Sequence, residues 1–356
     1  MKILRNYSLK NNNSFKIDVK AKYFAEITAP DELSEFFAKN NYEKEKLLIL
    51  GGGTNTLFKE NFDGLVIHVN NFGIKVIESD NQKVIVEIEA GESWNGFVNW
   101  AVNNGFSGVE NMVLIPGTVG AAASQNIAAY GQNFEDIFIS LTSFDIKNKK
   151  FEEFDKKKCG FQYRESFFKK EGLNKYIITK VKVELSKKEN ITTDYHSRYE
   201  SLESELKRIS SPPYNIRDIT KAVTVIRERK FPDWEKVGTA GSFFLNPIMS
   251  KKQLTELQKK VPGIQFYPID KLTYPQPDNP NFKYSDYVKV AAGWLLEELG
   301  WKGKWIGKVG TSPNQSLVII TQKGATPEEI IDFANKMKAD VKKAYGIDLT
   351  PEVNIV

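Results

Sequence analysis

A short apolar strand that runs straight into three glycines, Leu50-Gly51-Gly52-Gly53-Thr54-Asn55, constrains this chain more than any other feature. Without Cβ atoms in the way, successive backbone N–H groups can converge into a concave array that suits phosphate oxygens; the same residues would also serve as a plain tight turn. The spacing matches neither the GxGxxG of a dinucleotide-binding turn nor the GxxxxGK[ST] of a P-loop. A second stretch, residues 108–131, is dense in Gly, Ala and small polar residues and follows neither the helical nor the strand period. It contains Ile115-Pro116-Gly117-Thr118-Val119-Gly120-Ala121-Ala122-Ala123 and then Gln125-Asn126-Ile127-Ala128-Ala129-Tyr130-Gly131. Small residues admit a planar or pyrophosphate ligand at close range, and the amides of Gln125 and Asn126 can donate and accept. A long loop of this kind is usually functional, and two of them can grip one dinucleotide from both sides. The alternative is a packed connection under a helix.

The rest of the chain frames these loops with regular elements. Leu33, Phe36 and Phe37 fall on one face of a helix opened by Asp31, and residues 47–50 and 64–69 read as strands. Alternating strands are expected over 74–77 and 84–88, then a helix capped by Ser93, with Trp94, Phe97, Val98, Ala101 and Val102 on its face. Strands return at 139–146, 151–154 and 177–185. After a linker near Ser210-Ser211-Pro212-Pro213, a helix begins at Asp218, and others cover 250–260, 290–299 and 327–344. Thr326, Pro327 and Glu329 give the last of these a capping box, and the chain ends on a strand over 352–356.

Composition narrows the function. With 356 residues and 41% hydrophobic content, the chain can build two or three cores at about 150 residues per domain. The net charge of +5 is spread along alternating Lys and acidic residues, whereas nucleic-acid binders concentrate theirs on one face or tail, so no nucleic-acid partner is expected. A mild positive excess suits small anionic substrates. One cysteine, Cys159, and two histidines, His68 and His196, leave no material for a disulfide, a Cys-based metal site or a His-dependent triad. Residues 1–10 lack the apolar core of a signal peptide and no run of about eighteen apolar residues occurs, so the expectation is a reduced, cytoplasmic protein without membrane insertion.

Three further motifs are ambiguous one by one. Arg164, in Cys159-Gly160-Phe161-Gln162-Tyr163-Arg164-Glu165-Ser166, could fork onto a carboxylate or make a surface ion pair. Ser242, in Gly238-Thr239-Ala240-Gly241-Ser242-Phe243-Phe244-Leu245-Asn246-Pro247, could be structural or lie at a strained, partly buried site; it is not in a G-x-S-x-G elbow. Glu352, in Pro351-Glu352-Val353, could simply be solvated.

Taken in order, these motifs make the chain resemble the UDP-N-acetylenolpyruvoylglucosamine reductases of peptidoglycan synthesis. The resemblance covers nearly the whole length and is carried by residues 50–55, 115–131, 163–166, 230–232, 241–247, 291–294 and 351–353. It implies an α+β, multi-domain flavoprotein with an FAD cradle like that of vanillyl-alcohol-oxidase-type enzymes and a C-terminal α+β substrate domain. The implied division is residues 1–70 with 346–356, residues 71–215, and residues 216–345. The implied cofactor residues are Gly51, Gly52, Gly53, Thr54 and Asn55 in one loop, and Gly117, Thr118, Gly120, Gln125, Asn126 and Tyr130 in the other. FAD would be bound non-covalently, NADPH would be the co-substrate, and no metal is implied. Ala128 stands where the family has glycine, and the stretch 267–286 is longer than usual.

By the same resemblance Arg164, Ser242 and Glu352 are the catalytic positions. Lys230, Asn246, Tyr274, Lys302 and Gln315 correspond to contacts with UDP-N-acetylglucosamine enolpyruvate. A mobile-loop tyrosine of one subclass corresponds to Tyr199, or to its neighbour Tyr195. A monomer is expected. The implied chemistry suits these groups. Hydride addition to an enol ether conjugated to a carboxylate builds an enolate, which a fixed cation such as Arg164 stabilises in the transition state. Glu352, if protonated, can donate to the same enolate, and Ser242 is the family's proton donor to carbon. FAD supplies the redox chemistry. Two rivals remain: an alcohol-oxidising enzyme on the same cradle, for which His68, His196 and Cys159 are poorly placed as flavin attachment points, and a non-catalytic nucleotide-binding protein.

Overall fold

Strand period and helix caps account for most of the architecture in the computed structural model, which describes residues 1–39, 42, 45–193, 201–234, 236–269 and 286–356. The chain forms two units: Met1–Ser8, Lys20–Gly53 and Asn61–Arg227 in the first, and Leu9–Val19, Thr54–Glu60 and Glu228–Val356 in the second.

The first unit holds two sheets. One has the strand order Ile3–Ser8, Lys20–Ile27, Phe62–Val69, Lys46–Leu50, with the last three parallel. Leu65, Val66 and Ile67 are consecutively buried in its centre, as expected of a strand covered on both faces. Helix Glu32–Lys39 buries Leu33, Phe36 and Phe37. The second sheet is antiparallel, in the order Lys150–Asp155, Phe138–Asp145, Tyr176–Ser186, Lys83–Glu89, Ile74–Ser79. Val84, Val86 and Ile88 alternate inward. Helix Trp94–Asn103 is capped by Ser93, which accepts from the Gly96 N–H, and it buries all five residues of its predicted face.

Two elements differ from the sequence expectation. The small-residue stretch 108–131 contains a helix, Val119–Gln125, opened by Thr118 and closed by Asn126 in the left-handed conformation. Ala and Gly dominate it, so there is no contrast of large apolar and polar faces to produce a period. The helix expected from Asp218 starts two residues earlier, at Ile216. Asn215 accepts from the N–H groups of Arg217 and Asp218, and Asp218 returns a bond from the Asn215 N–H. This helix, Ile216–Lys230, passes from the first unit into the second after Arg227.

In the second unit a four-stranded sheet runs Gly238–Ser242, Val318–Thr321, Val309–Thr311, Trp305–Ile306, and a three-stranded sheet runs Ile248–Ser250, Tyr287–Val290, Phe266–Pro268. Helices Lys251–Lys260 and Pro327–Tyr345 both open on capping boxes, at Ser250 and Thr326. The terminal strand is only Asn354–Ile355, paired in parallel with Thr56–Leu57 just beyond the triple-glycine loop. Among the described residues no helix is long and apolar enough to cross a membrane, and no cluster of His, Cys, Asp and Glu is arranged to hold a metal.

Candidate active site

In the first unit the two glycine-rich loops meet. A Cβ on Gly51 would lie 2.6 Å from Thr118 Oγ1, so only glycine lets them approach this closely. Thr118 caps helix Val119–Gln125, and the first N–H groups of that helix are already engaged. Val119 donates to the Glu92 carbonyl at 2.9 Å, Gly120 to that of Ala90 at 2.8 Å, and Ala121 to Thr118 Oγ1. The Gly52 and Gly53 N–H groups, by contrast, enter no hydrogen bond among the described residues, and Gly53 has φ 62°. The backbone donors left open here are those of the triple-glycine loop, with Thr118 of the second loop beside them. That donor set fits a pyrophosphate-linked cofactor such as FAD.

Residues 126–130 and 162–166 pack together. Asn126 spends both ends of its amide on the protein: Nδ2 donates to the Gln162 carbonyl and Oδ1 accepts from the Glu135 N–H. Ser166 Oγ donates to the Ser124 carbonyl at 2.6 Å. Gln162 and Glu165 exchange backbone hydrogen bonds around a two-residue turn, Tyr163-Arg164. Arg164, the second of these, has φ 57°, in the position where such turns normally carry glycine. Holding a non-glycine residue there costs about 1–3 kcal/mol, a kind of strain found at functional sites. Its Nη2 donates to the Ala128 carbonyl at 2.9 Å and its guanidinium lies over the Tyr163 ring. Arg164 is thus half-buried and anchored to the second loop.

Tyr130, also left-handed at φ 47°, is buried and fixed from below. Asn111 Nδ2 donates to its carbonyl at 2.6 Å. Asn111 N–H donates to Gln132 Oε1, and Gln132 Nε2 to Glu110 Oε1. The Glu110 carboxylate, fully buried, also accepts from the N–H groups of Gly108 and Val109. A buried carboxylate with this many donors rigidifies its surroundings.

Arg227 belongs with these groups and no sequence motif pointed to it. Its Nη2 donates to the Leu114 carbonyl at 3.1 Å, and its side chain hydrogen-bonds Tyr130. Burial holds its guanidinium below the usual arginine range, partly offset by Tyr130, with Arg164 adding a repulsive push. A signal existed: Arg227 lies four residues after buried Val223 and one after Ile226, on the flank of the apolar face of its helix.

In the second unit the segments that carry Ser242 and Glu352 are hydrogen-bonded to each other through their backbones. Ser242 ends strand Gly238–Ser242 after an irregularity in the ladder between Thr239 and Ser242, with Gly241 at φ 72°. Such a bulge re-aims the residue beside it. Phe243, next in sequence, takes the Glu352 N–H on its carbonyl at 2.8 Å, and Leu245 N–H donates to the Thr350 carbonyl at 2.9 Å. Asn55 Nδ2 donates to the Glu352 carbonyl at 3.1 Å. Asn246 Oδ1 accepts from the Ala292 N–H at 2.9 Å, at the start of helix Ala292–Glu298. Gln315 lies at the next residue of that helix, its Oε1 2.9 Å from where a Gly293 Cβ would be. Lys302 pairs with Glu297 at 3.0 Å, and the Lys230 ammonium lies over the Phe231 ring. Arg164 belongs to the first unit, Ser242 and Glu352 to the second. Tyr195, Tyr199 and Tyr274 lie outside the described residues.

Two family models match this chain. Residues 21–149 match the FAD binding domain family, and residues 233–356 match the UDP-N-acetylenolpyruvoylglucosamine reductase C-terminal domain family. The UDP-N-acetylenolpyruvoylglucosamine reductase of Flavobacterium johnsoniae is 38% identical over 356 residues, all of both chains. That of Pseudomonas aeruginosa is 38% identical over 348 residues, 98% of this chain and 97% of its own. Among solved structures, the UDP-N-acetylenolpyruvylglucosamine reductase of Thermus caldophilus superposes with a TM-score of 0.63 at 18% identity, over 99% of this chain and 98% of that one. A solvent-stable cholesterol oxidase gives a TM-score of 0.51 at 10% identity, over 99% of this chain and 86% of that one, a likeness of fold alone. The fold is the expected α+β, multi-domain flavoprotein type.

Proposed function

Because this chain belongs to the UDP-N-acetylenolpyruvoylglucosamine reductase family, we propose that it reduces the enolpyruvyl group of UDP-N-acetylglucosamine enolpyruvate to UDP-N-acetylmuramate for peptidoglycan synthesis, with non-covalent FAD and NADPH as the electron source. The observation that carries the reading is the 2.8 Å bond from the Glu352 N–H to the Phe243 carbonyl, which fixes the segment bearing a carboxyl group against the segment bearing the Ser242 hydroxyl. Bound FAD supplies the hydride. The protein residues then have separable tasks. Arg164 holds the substrate carboxylate and stabilises the enolate that develops on it, an effect worth about 3–4 kcal/mol for a well-placed group. Glu352 is the second side chain directed to that enolate. Ser242 gives its proton to the carbon bearing the carboxylate, which completes addition of one hydride and one proton across the double bond. Lys230, Asn246, Lys302 and Gln315, with Tyr199 and Tyr274, bind the UDP-sugar.

The same reading makes the protein a cytoplasmic monomer. It assigns residues 1–70 with 346–356 and residues 71–215 to FAD, and residues 216–345 to the substrate. The test is NADPH oxidation with the enolpyruvyl sugar as acceptor. Stoichiometric loss of NADPH, with muramate as product, is the expected result. Oxygen consumption with an alcohol, and no NADPH loss with the sugar, would sink it.

A further inference from the structure

Helix Ala292–Glu298, in the second unit, begins where two of the candidate substrate residues meet it. Asn246 Oδ1 accepts from the Ala292 N–H at 2.9 Å. Gln315 Oε1 accepts from the Leu317 N–H at 3.3 Å and lies 2.9 Å from where a Gly293 Cβ would be. A backbone N–H can only donate, so each of these bonds fixes which end of the amide faces the protein. At both residues the oxygen is taken and the NH2 group is left over. Neither NH2 has a hydrogen-bond partner among the described residues, and both side chains are only half-buried.

The turn that carries Gln315 is itself held firmly. The Val318 N–H donates to the Gln315 carbonyl at 3.1 Å, and the Ser312 N–H to the Val318 carbonyl at 2.8 Å. Ser316, buried, donates from Oγ to the Gly293 carbonyl at 2.6 Å. Val318 is the register partner of Ser242, and the Phe243 N–H donates to the Leu317 carbonyl at 2.8 Å. The start of the helix, the Gln315 turn and the strand ending at Ser242 are thus one assembly, in which the Gln315 side chain is the part that can swing. Gly293 lets it rest where it does. The backbone there is helical and not left-handed, so the need for glycine is spatial. A methyl group would overlap Gln315 Oε1 and press on Leu317 Cδ1 at 3.4 Å, and the easiest relief is rotation of the Gln315 amide away from the helix.

We infer that Gly293 is a positioning residue for the UDP-sugar: by leaving room for Gln315 Oε1 it holds that amide with its NH2 toward the ligand, so that Gln315, like Asn246, recognises acceptor oxygens. This rests on the reductase reading above, which gives Asn246 and Gln315 to the UDP-sugar, and adds the polarity of their contact and the residue that sets it.

The test titrates the FAD-loaded protein with the enolpyruvyl UDP-sugar, following the flavin absorbance, in the wild type, Gly293→Ala, Gln315→Ala and the double variant. Alanine suits a helix better than glycine, so Gly293→Ala should keep or raise the melting temperature. It should nevertheless weaken the sugar about threefold to tenfold, the effect of losing one hydrogen bond, and Gln315→Ala should do the same. With Gln315 already cut back, the new methyl has no amide to displace, and adding Gly293→Ala should change affinity by less than about twofold. Gln315→Glu, which keeps the inward oxygen but replaces the donor with a second acceptor, should bind the sugar more weakly than Gln315→Ala. Unchanged affinity in either alanine variant, an equal further loss in the double variant, a loss matched by a lower melting temperature, or wild-type affinity in Gln315→Glu would each overturn the inference. Failure of the underlying reading looks different: the wild-type protein itself would then neither bind nor reduce the enolpyruvyl sugar.

Discussion

The Asn55 side-chain amide donates to the Glu352 carbonyl at 3.1 Å, joining the end of the triple-glycine loop to the C-terminal motif across 297 positions of sequence. The Asn354 N–H and Nδ2 return bonds to the Asn55 carbonyl at 3.0 and 3.2 Å, and the Val356 carbonyl accepts from Lys59. Glu352 is therefore positioned from two directions, by Asn55 and by the Phe243 carbonyl.

Asn55→Ala should cost about 0.5–1.5 kcal/mol of stability, the usual net worth of one such bond. If Glu352 acts on the enolate, turnover with the UDP-sugar should fall further than the melting temperature alone accounts for. Reduction of FAD by NADPH should stay near normal. A variant slowed equally in both steps would show that Asn55 serves the cofactor loop and not Glu352.

Gly51→Ala should release FAD. The new methyl would lie 2.6 Å from Thr118 Oγ1, and overpacking of this sort costs about 1–3 kcal/mol. Adding Thr118→Ala removes the clashing oxygen and should restore part of the FAD-to-protein ratio, read from absorbance after gel filtration. Unchanged FAD retention in Gly51→Ala would mean that the two loops can part without consequence.

Cys159 is buried, and burial pushes its thiol up to about 12. In the unfolded chain a thiol titrates near ~8.5, so the two states bind the same proton at neutral pH and the unfolded state loses it first as pH rises. Stability should therefore be unaffected by Cys159 below ~8.5 and decline between ~8.5 and 12, a slope that Cys159→Ala should flatten. Maleimide labelling near neutral pH should be negligible for the native protein and complete in denaturant. Rapid native labelling would show that the site opens.

How much of this was visible beforehand depends on side-chain size. Helix Trp94–Asn103 was legible because Trp94, Phe97 and Val98 contrast with the polar residues between them, and Ser93 announces the start. Helix Val119–Gln125 was not, since Val-Gly-Ala-Ala-Ala-Ser-Gln carries no such contrast. The terminal strand was anticipated, but its two paired residues and its partner Thr56–Leu57 are fixed by tertiary contact rather than by local pattern. Among the candidate residues, Ser242 and Glu352 are ambiguous as motifs and are singled out by the family resemblance. That Phe243 ties their segments together needed the fold. Arg227 carried only a faint mark, a charge on the flank of an apolar helix face.

Ser242→Ala offers the sharpest separation of mechanism from binding. Reduction of FAD by NADPH puts no proton on a substrate carbon, whereas reduction of the enolpyruvyl group does. Ser242 sits at the end of its strand beside a left-handed Gly241, and the neighbouring fold is held by backbone bonds that the alanine variant keeps: Phe243 N–H to the Leu317 carbonyl at 2.8 Å and Glu352 N–H to the Phe243 carbonyl. The substitution should therefore remove a hydroxyl and little else. Rapid mixing with NADPH should bleach the flavin at close to the normal rate. Mixing the reduced variant with the UDP-sugar should restore the flavin colour ~10²–10⁴-fold more slowly, the usual effect of losing a placed general acid. Ser242→Cys should regain part of the rate, because a thiol still donates a proton while its larger sulfur alters the approach. If both half-reactions fall together, Ser242 shapes the cofactor pocket and is not the acid. If neither falls, the proton reaches carbon from another group, and Glu352, fixed against the next residue of the chain, becomes the one to substitute.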